Sequence, residues 1–318
     1  MELQFTTLDV FTSTRMEGNP LAVVSVPAAL KDKLPQAAKQ KIAREFNLSE
    51  TVFLHEPAEG DEGNKERHID IFTIEQEMTF AGHPTIGTAV LCRYHLHPHV
   101  DTLVTKAGPI GLVPQDGNRI QAKIPHNVHL HSRTLAHAVG GSDDAYPGLS
   151  PVPDIRAAEL AAPVFSIVQG MTFVLVQLPT LELLGRVTEA ARLDFAKLPA
   201  PLLDEGWRDS FVCRYYYVDV DVDAKEKGAR GLRTRMVEMG FEDPATGSAA
   251  SALAAYLTLK EERRGTRFEV TQGVEMGRRS DISVETTTRE TDGSVELVDL
   301  WLGGTAVVVM KGSVTVDV

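Results

Sequence analysis

Cysteine is scarce in this chain. Its 318 residues include two, Cys92 and Cys213. Two thiols make no disulfide framework, and such scarcity suits a reducing compartment. Any mechanism that needs a pair of catalytic thiols has only these two to use. Positive charge is also in deficit: 32 Lys and Arg stand against 44 Asp and Glu, a net charge of -12. An acidic chain repels phosphate backbones and anionic membranes, and no local basic cluster offsets the balance. Nucleic-acid and membrane partners are therefore not expected. No apolar run approaches the ~18 residues of a membrane-spanning helix. The opening Met1-Glu2-Leu3-Gln4 lacks the basic and then apolar pattern of a secretory signal. A cytoplasmic location is expected, in which the Asn47-Leu48-Ser49 sequon carries no glycan. Missing motifs narrow the chemistry as well. Neither GxGxxG nor a P-loop is present, which argues against dinucleotide and nucleotide cofactors, and no GxSxG elbow supports a hydrolase.

What is present is ample apolar material. At 43% apolar and 24% charged residues, the chain can bury two cores, and its length fits two domains. Short β-branched or aromatic runs recur from end to end. In the first half they are Leu3–Phe11, Leu21–Val26, Thr51–Leu54, His68–Phe72, Thr102–Thr105, Ile110–Val113 and Arg119–Ile124. In the second they are Val164–Gln169, Phe173–Gln177, Ser210–Val218, Arg233–Glu238, Arg267–Thr271, Ile282–Glu285, Ser294–Trp301, Thr305–Met310 and Ser313–Val318. Turn pairs such as Gly108-Pro109, Asp116-Gly117 and Asp292-Gly293 punctuate them, the pattern of mostly antiparallel sheets.

Helical patterns are fewer. Pro35–Phe46 carries Ala38, Ile42 and Phe46 on one stripe, with Lys39, Lys41 and Arg44 off it, as in a surface helix. Leu181–Lys197 is expected to hold another. Thr85–Tyr94 and Ser248–Leu259 are small or apolar almost all round, so each must be enclosed by other elements. Both are introduced alike, one by Phe80-Ala81-Gly82-His83-Pro84, the other by Glu242-Asp243-Pro244-Ala245-Thr246-Gly247. Ala81 and Ala245 lie 164 residues apart, about half the chain, so the halves read as a weak duplication: two strand-rich shells, each around one buried helix. The His-, Gly-, Ser- and Pro-rich stretch Asn127–Pro153 is the best candidate for a linker.

A small-residue turn feeding a helix exposes free N–H groups and the positive end of the helix dipole, which favours an anion such as a carboxylate. Plain turn and cap formation by Gly82, Thr246 and Gly247 is the competing reading. His83 precedes a helix-starting proline, Asp243 can cap a helix, and Ser248 can cap or bind a ligand. Glu50 opens the strand at Thr51. If it points into a closed site, desolvation raises its pKa toward the range useful for proton transfer. His95, His97 and His99 alternate, but no carboxylate or thiol is grouped with them, and a metal site is not expected.

These strings resemble the phenazine biosynthesis PhzF-like proteins, which share the diaminopimelate epimerase fold. The resemblance extends over nearly the whole chain: Asp9-Val10-Phe11-Thr12, Gly18-Asn19-Pro20, Ser49-Glu50-Thr51, Glu77, Phe80-Ala81-Gly82-His83-Pro84-Thr85-Ile86-Gly87, Arg235-Met236, Glu242 to Ala249, Gln272-Gly273 and Met276-Gly277-Arg278. Ile74 and Thr79 depart from it, each standing where the family commonly has proline. The resemblance implies an α+β fold of two similar open β-barrel domains, each around a central buried helix, with the site between them. The domains are expected at 1–128 and 129–306, with a final strand at about 307–318 returning to the first. It also implies cofactor-independent acid–base catalysis, a small-molecule carboxylate substrate and a homodimer.

In the epimerase relatives a cysteine starts each central helix; here those positions are Ala81 and Ala245. The resemblance makes Glu50 the general acid/base, with His83, Asp243 and Ser248 as substrate-binding groups beside Gly82, Thr246 and Gly247. The expected activity is that of an isomerase similar to trans-2,3-dihydro-3-hydroxyanthranilate isomerase. The alternatives are a non-thiol epimerase or racemase and a non-catalytic small-molecule-binding protein.

Overall fold

The computed structural model describes residues 1–140, 146–188, 192–222, 228–238, 240–291 and 294–317. The strands are β1 (Glu2–Val10), β2 (Asn19–Val26), β3 (Thr51–His55), β4 (Glu66–Phe72), β5 (Glu77–Met78), β6 (Thr102–Thr105), β7 (Gly108–Gln115), β8 (Arg119–Lys123), β9 (His129–Leu130), β10 (Val164–Val168), β11 (Met171–Gln177), β12 (Phe211–Val220), β13 (Ala229–Arg235), β14 (Gly265–Gln272), β15 (Ser280–Thr291), β16 (Ser294–Gly304) and β17 (Ala306–Thr315). The helices are α1 (Gln36–Phe46), α2 (Gly82–Leu91), α3 (Leu135–Val139), α4 (Pro153–Ala161), α5 (Leu181–Gly185) and α6 (Gly247–Lys260). The chain divides into two units, Met1–Ile124 with Trp301–Val318, and Pro125–Leu300.

The pairing of strands repeats between the units. In the first, the ladder runs β17, β1, β2, β3, β4, β6, β7, with contacts that are antiparallel, antiparallel, parallel, antiparallel, parallel and antiparallel. In the second, β9, β10, β11, β12, β13, β14 and β15 pair in the same order of senses. In each unit the central helix lies in the chain between the two strands of the second parallel pair, α2 between β4 and β6, α6 between β13 and β14. The duplicated introductions of the two helices thus belong to a duplicated α+β topology.

Both central helices are enclosed, as their lack of a polar face requires. All ten residues of α2 are buried, and α6 is buried from Gly247 through Thr258. Strands β1, β2, β3, β8 and β17 surround α2, while β10, β11, β14 and β15 surround α6. Close approach in the first unit depends on Gly87. A Cβ there would lie 2.6 Å from both Leu21 Cδ2 and Val10 Cγ2.

Several elements differ from the sequence expectation. Thr305–Met310 and Ser313–Val318 are not two strands but one, β17, in which Gly312 stays in register opposite Phe5. Leu181–Lys197 is not one helix. It holds the single turn α5, capped by Thr180, and a 3-10 turn at Phe195–Lys197, while residues 189–191 lie outside the described residues. The Asp292-Gly293 turn also lies outside them. Lys39 is not on the wet face of α1. It is buried because its ammonium bonds the Asp70 carboxylate at 2.5 Å, and His55 bonds the same oxygen at 2.8 Å. Burial opposes that charge, but the bonds from His55 and Lys39 outweigh it and hold Asp70 at about 2. The stretch from Asn127 to Pro153 is no linker in its described part. Leu135, Ala138, Val139 and Leu149 join the apolar core of the second unit, and β9 pairs with β10.

Candidate active site

In the first unit, Asn47 ends α1 in the left-handed conformation (φ 50°). The turn that follows delivers Glu50 to the start of β3. The extended Ala81 then begins α2, which places His83 in the first helical turn, next to the normal helix-starting proline. These two elements bring Glu50 Oε2 to 3.6 Å from His83 Nε2. The His83 side chain is 5% exposed and that of Glu50 19%. His83 Nε2 is buried with no hydrogen-bond partner among the described residues. Burial pushes its imidazole down to about 3, so it is neutral near pH 7. A carboxyl group and a neutral imidazole thus lie side by side, just too far apart to satisfy each other. The N-cap residue of α2, Ala81, has no side chain able to cap the helix. Thr85 spends its hydroxyl on the Ala81 carbonyl at 2.8 Å.

In the second unit the corresponding turn is held from two sides. Arg235 grips Glu242 with two bonds of 2.8 and 2.7 Å and donates to the Leu184 and Val187 carbonyls. The Asp243 amide donates to the Met236 carbonyl at 2.9 Å. On the other side Gln272 is fully buried. Its amide nitrogen donates to the Asp243 carbonyl (2.8 Å) and to Thr246 Oγ1 (3.0 Å). Its amide oxygen accepts from the Thr246 N–H (3.2 Å) and the Tyr215 hydroxyl (2.8 Å). The neighbouring Gly273 is required: φ is +75°, and a Cβ would sit 2.7 Å from the Pro244 carbonyl oxygen. Thr246 occupies the cap position of α6 but caps nothing. Its hydroxyl donates instead to Asp243 Oδ2 at 2.6 Å. Gly247 and Ser248 form the first turn of α6, with Ser248 9% exposed.

The structure therefore brings Glu50, His83 and Gly82 together in one unit, and Asp243, Thr246, Gly247 and Ser248 together in the other. The Thr246 hydroxyl is committed to Asp243. The sequence reading gave no role to Gln272 or Tyr215. The Gln272-Gly273 pair was visible as a string, but a partner 29 residues away along the chain leaves no local periodicity.

Neither thiol is available for proton transfer. Cys92 lies at the end of α2 and Cys213 within β12, and both are fully buried. Burial, with help from Glu56, pushes Cys92 up to about 12, and burial likewise raises Cys213 well above its ordinary value. At the start positions of the central helices stand Ala81 and Ala245.

Of the alternating histidines, His97 is engaged with Glu56 at 2.7 Å. Among the described residues, three potential metal donors gather at His129, His131 and Asp204. His131 accepts the Asp204 amide N–H on Nδ1 (3.1 Å) and so carries its proton on Nε2, facing Ser166 Oγ (2.8 Å). With both ring nitrogens committed, it has no lone pair to give an ion.

A family model described as "Phenazine biosynthesis-like protein" matches residues 8–312. An uncharacterized isomerase of Mesorhizobium japonicum is 34% identical over 322 aligned positions, covering 96% of each chain. The trans-2,3-dihydro-3-hydroxyanthranilate isomerase of Pseudomonas fluorescens is 31% identical over 284 positions, covering 86% of each. A phenazine biosynthesis protein of the PhzF family from Bacillus anthracis superposes with a TM-score of 0.70 at 21% identity, covering 99% of this chain and 100% of the other, a likeness of fold.

Proposed function

The chain belongs to the phenazine biosynthesis-like protein family, and from that premise we propose that it is an isomerase that moves a proton within a small carboxylate-bearing metabolite, without a cofactor. The observation that carries the reading is the pair Glu50 and His83: a carboxyl group 3.6 Å from a buried, neutral imidazole, at the start of a helix whose cap residue is an alanine. Such a pair supports acid–base work. Glu50 takes a C–H proton, the developing enolate charge spreads into the substrate, and the same carboxyl group returns the proton at another carbon. The neutral His83 offers a hydrogen bond without introducing a charge that would hold Glu50 permanently ionised. In the first unit the helix start at Gly82 offers N–H groups suited to a carboxylate, and in the second the start at Gly247 does the same, with Ser248 in its first turn. Asp243, an acceptor held by Thr246, suits an amino group.

The named relatives point to trans-2,3-dihydro-3-hydroxyanthranilate as the first compound to try. Proton NMR in deuterated water would follow it. The expected result is a shifted double bond in the presence of the protein and no turnover with Glu50→Gln, at a melting temperature close to the parent's. General acid–base groups contribute roughly 10²–10⁴-fold. Parent-level turnover in Glu50→Gln would remove Glu50 from the mechanism. Inversion at one carbon with no shifted double bond would mark an epimerase instead.

A further inference from the structure

We propose that Gln272 is the positioning residue that orients the Asp243 carboxylate, acting through Thr246. The proposal rests on the reading of Asp243 as a substrate-binding group. Its basis is a chain of bonds whose directions are fixed by chemistry. The Thr246 amide can only donate and the Asp243 carbonyl can only accept, so the two ends of the Gln272 amide cannot be exchanged. The NH₂ end therefore faces Thr246 Oγ1 and donates to it at 3.0 Å. The Thr246 hydroxyl, having accepted, turns its own proton to Asp243 Oδ2 at 2.6 Å. Asp243 Oδ2 is thereby met by a donor of fixed direction, which holds the carboxylate in one orientation. At the other end the hydroxyls of Tyr215 (2.8 Å) and Thr234 (3.4 Å) both face Gln272 Oε1, and burial keeps the Tyr215 phenol protonated, so the pair, itself linked at 2.9 Å, presents a donor to that oxygen. Two further observations agree. Gln272 is fully buried, where an amide lacking partners would be costly. Thr246, at the position where threonine normally caps its own helix, gives up that bond to hold Asp243. The start of α6 is left uncapped by the same choice, so one glutamine arranges both the carboxylate and the helix terminus.

The test uses crystal structures of the full chain as parent, Gln272→Met, Thr246→Val and Thr246→Ser, with turnover of trans-2,3-dihydro-3-hydroxyanthranilate measured for each. The Asp243 side chain is expected to leave its parent rotamer in Gln272→Met and Thr246→Val and to keep it in Thr246→Ser, where the hydroxyl is restored. kcat/KM should fall up to about 100-fold in the first two, mainly through KM, and recover in the serine variant. An unmoved Asp243 in both Gln272→Met and Thr246→Val overturns the proposal. If Gln272→Met does not fold, the valine and serine pair at 246 decides alone. If the parent does not turn over this compound, that substrate is excluded while the rotamer comparison still decides the positioning.

Discussion

His83 shows what burial does to a single site residue. Its imidazole is held at about 3 by burial, against an ordinary value near 6.5. A histidine whose folded value is depressed is stable above the unfolded value and loses stability as pH falls through 6.5, because the unfolded chain takes up the proton first. The penalty grows by about 1.4 kcal/mol per pH unit until the folded value is reached. Replacing His83 by Gln should therefore move the acid-unfolding midpoint to lower pH, as followed by circular dichroism. A midpoint that stays in place would show that His83 is not buried as a neutral ring. By the same logic His83 contributes no limb near pH 6.5 to a rate profile, and any limb there belongs to another group. The identity of these residues was legible in the sequence, because Gly-His-Pro and Asp-Pro-Ala-Thr-Gly-Ser are local strings. The 3.6 Å approach of Glu50 was not, since 33 residues separate it from His83.

At the scale of elements, α2 and its strands meet at Gly87. Alanine there improves helix propensity by about 1 kcal/mol, but its methyl group would fall 2.6 Å from Val10 and Leu21. Overpacking of this kind costs about 1–3 kcal/mol. Gly87→Ala should be destabilised in urea titration, and a gain in stability would mean that β1 and β2 yield freely. The second unit has an ionic knot linking α4, β12 and the end of β13. Arg214, fully buried, bonds Glu159 at 2.9 Å and Glu238 at 2.6 Å. Tyr216 and the Ser150 amide also donate to Glu159, and the Leu193 amide donates to Glu238. Arg214→Met leaves two buried carboxylates without their cation and should cost about 3–5 kcal/mol or more. Chemical denaturation measures it, and a loss below 1 kcal/mol would show that the carboxylates find water or protons. The helix at α1 was legible because its apolar residues recur at helical spacing, and those at α2 and α6 because each is an apolar run introduced by a small-residue turn. The Leu181–Lys197 stretch misled, because its buried leucines do not share one helical face: Leu184 enters the core from the single turn α5, and Leu193 from outside any helix.

For the whole molecule, the chain leaves the first unit after Ile124 and re-enters it at Trp301. Its last strand, β17, pairs with β1 from Glu2–Thr315 to Val10–Ala306. A chain ended after Gly304 leaves that side of β1 without a partner and strips a wall from α2. It should lose its cooperative melting transition or precipitate, since an open apolar strand edge invites association. Soluble, cooperative melting like the parent's would show that β17 is dispensable.

By itself the sequence determined the secondary elements with strong periodicity, the two enclosed helices, the acidic balance and the chemistry-bearing strings, all properties carried by neighbouring residues. The tertiary structure alone decided how those pieces serve one another. It buried Lys39 against Asp70, put Glu50 beside His83, and turned Thr246 from a helix cap into a link between Gln272 and Asp243. Each depends on bonds between residues tens of positions apart, where spacing along the chain carries no signal. The positions of Cys92 and Cys213 make the same point: their number was plain from the start, and their burial removes them from the chemistry.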